Sequence, residues 1–362
     1  MARNAPFSIR RSETANTLQP NLNWSRLFTA PGIPSFILVA QYGEPQSYVP
    51  QWSFGVQREL SPNMSVEVSY LGSSGVHLKR FMSYNTAPPG PGNVNPRRPF
   101  PIFNGTFQVA SAPAHSNYNA LLARLQHRFT HGFTLLTAFS YGKSIDNGSA
   151  IRQQSNDLQQ PSDDYNLRAM RGLSSFDFRR RLTNSLLFDL PFGKGHALLG
   201  NAGRAANAIV GGWQLGTILT LQDGFPFTAT CGSGAIQNGG DGCLADSTGV
   251  NPNSPRGQQD PRRFFNTAAF VNRNPGGEQF RYGNAGRGTL IGPGIIDWDF
   301  SLSKRFNITE RHRMEFRAEI FNFPNHPLFG FPGASPGTSN YGIISGTSID
   351  SRQLQFGLKY SF

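Results

Sequence analysis

Seven histidines, two cysteines and one acidic run are the residues of this chain with the most chemistry to offer. His115, His127, His131, His196, His312 and His326 fall near expected turns or strand ends. None sits in a Gly-x-Ser-x-Gly nucleophile elbow or a His-Glu-x-x-His metal motif. Gly193-Lys194-Gly195 lacks the spacing of a phosphate loop. Asn238-Gly239-Gly240-Asp241-Gly242 has the look of one calcium-type turn, but such sites need repeats or more carboxylates. The run from Asp157 through Asp163 and Asp164 has the charge to take a cation, though acidic runs of this kind are more often solvated loop. The expectation is no catalytic residue, no cofactor and no metal, and hence no enzyme. Cys231 and Cys243 lie 12 residues apart in a Gly- and Asn-rich segment, a candidate loop disulfide in an oxidising compartment, against two free thiols. A zinc site would need four ligands, and no further pair stands nearby.

Charge and composition narrow the class. With Lys+Arg 33 and Asp+Glu 21 the net charge is +12. Only Arg97-Arg98, Arg179-Arg180-Arg181 and Arg262-Arg263 cluster, and no zinc finger or basic helix accompanies them, so nucleic acid is excluded as a partner. Solvated loops, lumen lining and contacts to anionic lipopolysaccharide account better for the excess. Gly 40 and Pro 26 disfavour helical folds, whose interiors exclude both, while 30 Phe and 10 Tyr argue against disorder. The longest apolar stretch, Ile33 to Ala40, is far short of a membrane-spanning helix. Met1 to Pro6 opens into polar sequence without the apolar core of a secretory signal. The chain is therefore read either as cytoplasmic or as lacking the start of something longer, and the cysteines favour the second.

The elements that must carry these residues are strands, because apolar residues recur with period two. Leu354, Phe356, Leu358, Tyr360 and Phe362 alternate with Gln353, Gln355, Gly357, Lys359 and Ser361. Trp298, Phe300, Leu302 and Phe306 form one arm of a hairpin, and Met314, Phe316, Ala318 and Ile320 form the other. Similar patterns start at Trp52, Met64, Leu121, Phe133, Leu182 and Trp213, giving roughly nine strands of bilayer-crossing length. Short turns follow Leu60, Phe129 and Phe306, whereas long polar segments follow Tyr141, Leu221 and Phe321. Transmembrane barrels show that asymmetry, with short periplasmic turns and longer extracellular loops. The connection from Pro191 to Gly212, with a short helix around Ala205 to Ile209, runs against it.

Alternation alone fits both a soluble sheet over a core and a barrel wall between lipid and water. Three details favour the barrel. Trp52, Tyr141, Trp213, Trp298 and Tyr360 stand at strand ends, as interfacial girdles do. The polar faces carry Asp299, Arg305, Arg313, Glu315, Arg317 and Glu319, which a wet lumen tolerates and a protein core does not. These six are candidate lumen charges, lining a path or bracing the wall in pairs. Lys304, on the lipid side near a strand end, is expected to snorkel to the interface. Finally, the sequence closes on an alternating strand with Phe362 as its last residue.

That last strand (Leu354, Phe356, Leu358, Tyr360, Phe362) resembles the C-terminal signature that the barrel-assembly machinery reads. Several segments, in order, resemble the C-terminal barrel of Oar-like TonB-dependent receptors. They are Tyr48-Val49-Pro50-Gln51-Trp52, Ser116-Asn117-Tyr118-Asn119-Ala120-Leu121, Leu190-Pro191-Phe192-Gly193-Lys194-Gly195 and Gly211-Gly212-Trp213-Gln214. Trp298 to Phe306 and Ala318-Glu319-Ile320-Phe321-Asn322-Phe323-Pro324-Asn325-His326-Pro327 complete the series. The resemblance implies a plug inside a barrel of about 22 strands in a Gram-negative outer membrane. It also implies lipid, lipopolysaccharide and assembly machinery as partners, with the TonB complex engaged only through a plug that has no counterpart here. The expected organisation is a loop-like segment 1–47, within an extracellular loop of the full-length protein, followed by barrel region 48–362. The expected fold is thus all-β, a transmembrane antiparallel β-barrel portion acting in ligand capture and uptake. A self-contained barrel of ten or twelve strands is the structural alternative and needs a strand from Ser35 to Tyr42. The functional alternatives are a secreted, soluble carbohydrate-binding β-sandwich and a small passive porin.

Overall fold

In the computed structural model, the described residues are 37–362 apart from 104, 129–131, 151–155, 159, 232–239, 241, 256, 273–279 and 310. The strands in chain order begin with β1 (Ile37–Ala40), β2 (Gln51–Ser61), β3 (Met64–Tyr84), β4 (Phe107–Arg128) and β5 (Phe133–Asp146). There follow β6 (Gly172–Leu173), β7 (Arg180–Asp189), β8 (Trp213–Gln222), β9 (Pro226–Phe227) and β10 (Asp246–Ser247). The last are β11 (Phe270–Val271), β12 (Leu290–Ile291), β13 (Ile295–Asn307), β14 (Arg313–Phe321) and β15 (Gln353–Ser361). Among the described residues the one α-helix, α1 (Arg204–Val210), lies between β7 and β8. No described helix is long and apolar enough to cross a membrane.

Nine long strands form one antiparallel sheet in the order β15-β14-β13-β8-β7-β5-β4-β3-β2. Each long strand pairs with its predecessor among them, so the wall is a meander and successive connections fall at opposite ends. One end holds the β2–β3, β4–β5, β7–β8 and β13–β14 connections; the other holds 85–106, 147–179, 223–294 and 322–352. The length asymmetry expected from the sequence is therefore an asymmetry of ends, with 190–212 the one long connection on the short-turn side. The proposed turn Thr130-His131-Gly132 has only Gly132 among the described residues.

β3 and β4 run for 21 and 22 residues, about twice what a tilted strand needs to cross a bilayer. Their pairing slips between Gly75 and Leu78 and again before Arg80, and His77 there adopts φ 56°. Bulges of this kind bend and twist a strand pair. Beyond them, Met82, Ser83, Ala112 and Ala114 become buried, and the hairpin joins the long loops.

The sheet is open among the described residues, with β2 and β15 at its edges. The strand required between Ser35 and Tyr42 by a ten- or twelve-stranded barrel does not extend this wall. β1 instead pairs in parallel with Phe107 to Ala110, at the loop end of β4. Residues 1–36 of the expected N-terminal loop segment lie outside the described residues.

Candidate functional site: a two-faced wall under a packed loop cap

The register carries one apolar row across all nine strands. From the C-terminal edge, Leu358 pairs with Phe316, Phe316 with Lys304, Leu302 with Leu215 and Leu215 with Phe188. The row continues through Phe133, Leu135, Thr137, Phe139 and Tyr141 of β5, then Leu121, Tyr70 and Phe54. Because residues paired across strands share a face, this is one continuous apolar surface. Among the described residues no second protein layer covers it at the edge. Phe356 and Leu358 are 67% and 69% exposed, and Phe54, Val56, Leu354, Tyr360 and Phe362 are exposed with them. Each such side chain gains about 1.5–3 kcal/mol on leaving water, so the wall as a whole requires an apolar solvent.

Aromatic residues bound this surface above and below. Trp52, Tyr70, Tyr141 and Trp298 stand at the loop end, and Phe133, Phe188, Trp213, Phe306 and Tyr360 at the turn end. Trp298 and Phe306 are eight residues apart on β13, about 27 Å along a strand and roughly 19–22 Å across the membrane at a barrel's tilt, within its apolar band of roughly 25 Å. Trp52 lies flat across β3 because its neighbour is Gly72, where a Cβ would sit 2.2 Å from the indole. At the turn end, His312 Nδ1 and the Tyr360 hydroxyl share a 2.6 Å hydrogen bond with their rings stacked.

The opposite face carries the charges read from the sequence, and the structure pairs most of them. Arg317 bridges Glu315 at 2.7 Å and Glu319 at 3.7 Å, while Arg305 reaches Glu315 across the β13–β14 pair at 3.7 Å. Arg313 and Lys359 join Arg305 and Glu315 around a recess of about 880 Å³ near the turn end. Asp299 instead caps a turn, its Oδ1 accepting from the Asn322 amide at 3.0 Å. This face is not uniformly polar: Leu187 and Ile218 also lie on it and are exposed.

Lys304 departs from the sequence reading. It does not snorkel to water; it is 4% exposed, and its ammonium donates to the Ile209 and Gly211 carbonyls at 2.8 and 2.6 Å. The Trp213 and Phe306 rings flank it at 4.7 and 4.9 Å. Carbonyls at the end of α1, which have no partner within the helix, offer Lys304 a nearer partner than bulk water does.

Above the wall, the long loops form a cap with its own core. Phe227, Phe264, Phe265, Phe270, Leu290 and Ile344 are buried together, with Tyr341 edge-on to Phe265 at 5.3 Å. Burial pushes the Tyr341 hydroxyl up to about 12. The acidic run contributes structure here. Arg287, 3% exposed, makes a two-pronged contact with Asp157 (2.7 Å to each oxygen) and a further 2.7 Å bridge to Asp146. Those carboxylates hold the Arg287 guanidinium above its ordinary range against the opposing effect of burial. Asp164 accepts from the Ser83 amide at 2.8 Å; burial lifts its carboxyl to about 6, against the lowering pull of that bond and of Arg80. Among the described residues no group of three or more metal-ligating side chains gathers. Cys231 and Cys243 are joined as a disulfide with Cα atoms 5.4 Å apart, beside the Thr230–Leu244 bridge. Gly239 and Asp241 of the calcium-like turn lie outside the described residues.

The segment Ala318 to Pro327 also has a local physical role. Asn322 and Asn325 take left-handed backbone (φ 51° and 53°), which Asn tolerates better than most residues. Asn322 exchanges hydrogen bonds with His326, and Phe323 packs against Trp298 and Phe300 at 5.4 and 5.5 Å. The sequence therefore ends β14 by folding an aromatic over the upper girdle.

A meandering sheet with a lipid-seeking face, a charged face, aromatic belts and long loops at one end defines a β-barrel wall of an outer membrane. The chain belongs to the family described as the outer membrane beta barrel domain, whose model matches residues 1–355, and its location is the outer membrane. Among solved structures it is similar to the outer membrane transporter YddB from Escherichia coli, at 11% identity and TM-score 0.47, covering 87% of this chain and 32% of that one. The copper transporter OprC is also similar, at 11% identity and TM-score 0.36, covering 87% and 31%. The chain thus spans about a third of the length of either structure. No curated protein sequence matches it.

Proposed function

We propose that this chain is the ligand-capturing part of a TonB-dependent, Oar-like receptor barrel, with uptake a property of the complete receptor. The observation that carries the reading is the pairing of an open, two-faced wall with a loop cap that has its own packed core. β2 and β15 both run from the loop end to the turn end, so joining them directly would create a parallel seam. Hydrocarbon does not tolerate unpaired strand edges, and an antiparallel barrel of even count is completed from nine strands by an odd number of others. In the receptor proposed here the completed wall is a barrel of about 22 strands, wide enough to hold a plug, and a cap with its own core packs the long loops over it.

The outer membrane beta barrel family supports this reading, as do the sequence segments that resemble Oar-like receptors. The test is solute depletion from the medium by cells with and without the protein, in strains with and without working TonB. The reading expects at least one solute whose uptake requires both. Uptake that persists without TonB would favour a passive pore instead.

A further inference from the structure

The connection 190–212 is long for the turn end of a barrel, and the contacts that hold it come from the apolar face. Lys304 and Trp213 are cross-strand partners on that face. Lys304 clamps the carbonyls of Ile209 and Gly211, and Trp213 Nε1 donates to Ile209 O at 2.9 Å. Gly212 turns the chain from the helix into β8 with φ 72°, where a Cβ would meet the Arg305 carbonyl at 2.6 Å. The last turn of α1 is therefore strapped to the outside of the wall, level with the lower aromatic belt.

The rest of the segment is tied to the helix as one unit. Asn207 Oδ1 accepts from the Lys194 amide at 2.7 Å, and Phe192 bridges to Leu198. Its surface has two characters. Leu198, Leu199 and Ile209 are 50%, 60% and 71% exposed. Between 190 and 212 there is no Asp or Glu, but there are Lys194 and Arg204.

We propose that residues 190–212 form an interfacial anchor for the phospholipid leaflet facing the short turns. Leu198, Leu199 and Ile209 enter the headgroup–acyl boundary, and Lys194 and Arg204 meet anionic phosphates. Amphipathic segments of this kind seat their apolar side about 5–10 Å into the boundary, and indoles such as Trp213 favour the same depth. The surface continues the lipid-facing wall, which commits it to lipid and not to a soluble partner. This goes beyond the uptake reading and requires only that the apolar face meet lipid.

The test uses nitroxide labels on the full chain in vesicles of phosphatidylethanolamine and phosphatidylglycerol. Labels are placed one at a time by Ile209→Cys, by Leu358→Cys on the apolar face and by Ser361→Cys on the charged face, the native cysteines being bonded. The Ile209 label is expected to collide with oxygen several times more effectively than with a water-soluble nickel chelate, as the Leu358 label does, and the Ser361 label to show the reverse. An Ile209 label as nickel-accessible as the Ser361 label overturns the anchor while leaving the barrel intact. A nickel-accessible Leu358 label overturns the wall's orientation, and the anchor with it. Lys194→Glu combined with Arg204→Glu is expected to lower the Ile209 oxygen-to-nickel ratio severalfold in these vesicles and to leave it unchanged in phosphatidylcholine. Equal ratios in both lipids overturn the role assigned to the two cations.

Discussion

The wall and the cap solve the hydrophobic problem in opposite ways. In the cap, Phe227 and Phe265 are 2% and 1% exposed and pack on one another with ring centroids 5.8 Å apart. In the wall, Phe356 and Leu358 face outward, 67% and 69% exposed, with none of the described residues over them. The same residue types, in one chain, are buried by protein at one end and offered to the surroundings at the other. Only a solvent that changes along the molecule accommodates both: water around the loops and acyl chains around the strands. Charge follows the same division. Arg287 is buried and fully committed to Asp146 and Asp157, whereas Arg317 and Arg305 sit half in the open along the other face of the wall.

The contrast is most open to attack at Arg287. Arg287→Met removes the ion-pair partner of two buried carboxylates and leaves only the more distant charge of buried Arg80 near them, and about 3–5 kcal/mol of cap stability should be lost. Hydrogen exchange should show the loss in 147–179 and 223–294 and leave β13 to β15 protected; loss spreading evenly into the wall would show that the two regions are one cooperative unit. Next in size, Phe356→Arg on the apolar face should destabilise the membrane-inserted protein by about 2–4 kcal/mol in urea titrations in vesicles, while Gln355→Arg beside it should be nearly neutral. Equal costs would erase the distinction between the faces. Reducing the Cys231–Cys243 bond, which closes a 12-residue separation, should cost about 3 kcal/mol on chain-entropy grounds, read as faster proteolysis of the cap alone.

Smaller effects sharpen the comparison. The Asp164 carboxyl titrates near 6 in the folded cap against an ordinary 3.8, so the folded state holds the proton more tightly. Its contribution is therefore fully present below about pH 4 and is lost as the pH rises through about 6. Exchange protection of cap amides that do not bond to Asp164, corrected for intrinsic rates, should fall across that window, and Asp164→Asn should flatten the profile. Smallest of all, Arg317→Gln should change wall stability by no more than about 1 kcal/mol, since exposed ion pairs contribute little.

How much of this was legible in the sequence follows from the same division. The wall was readable because strand geometry imposes a period of two, and Leu354 to Phe362 or Met314 to Ile320 display it without help from distant residues. The six charged positions fell on the expected strands, but their pairing needed the register, which links residues on different strands. Lys304 was misjudged because its partners, the carbonyls of Ile209 and Gly211, are about a hundred residues away and belong to the backbone. Of the cap, only the Cys231–Cys243 pair was legible. Phe227, Phe265, Phe270 and Phe331 have no common period, and Arg287 stands in a Gly-rich stretch 130 residues from Asp157. Loop cores are assembled by tertiary contact, which leaves no local signature.

The central claim is that one face of the wall meets acyl chains and the other meets water. Single cysteines placed along β15 and offered a membrane-impermeant maleimide, with the protein inserted in phospholipid vesicles, test it most directly. Positions 353, 355, 357, 359 and 361 should label, and positions 354, 356, 358 and 360 should stay protected until detergent is added. Uniform labelling along the strand, or the opposite alternation, would contradict the account.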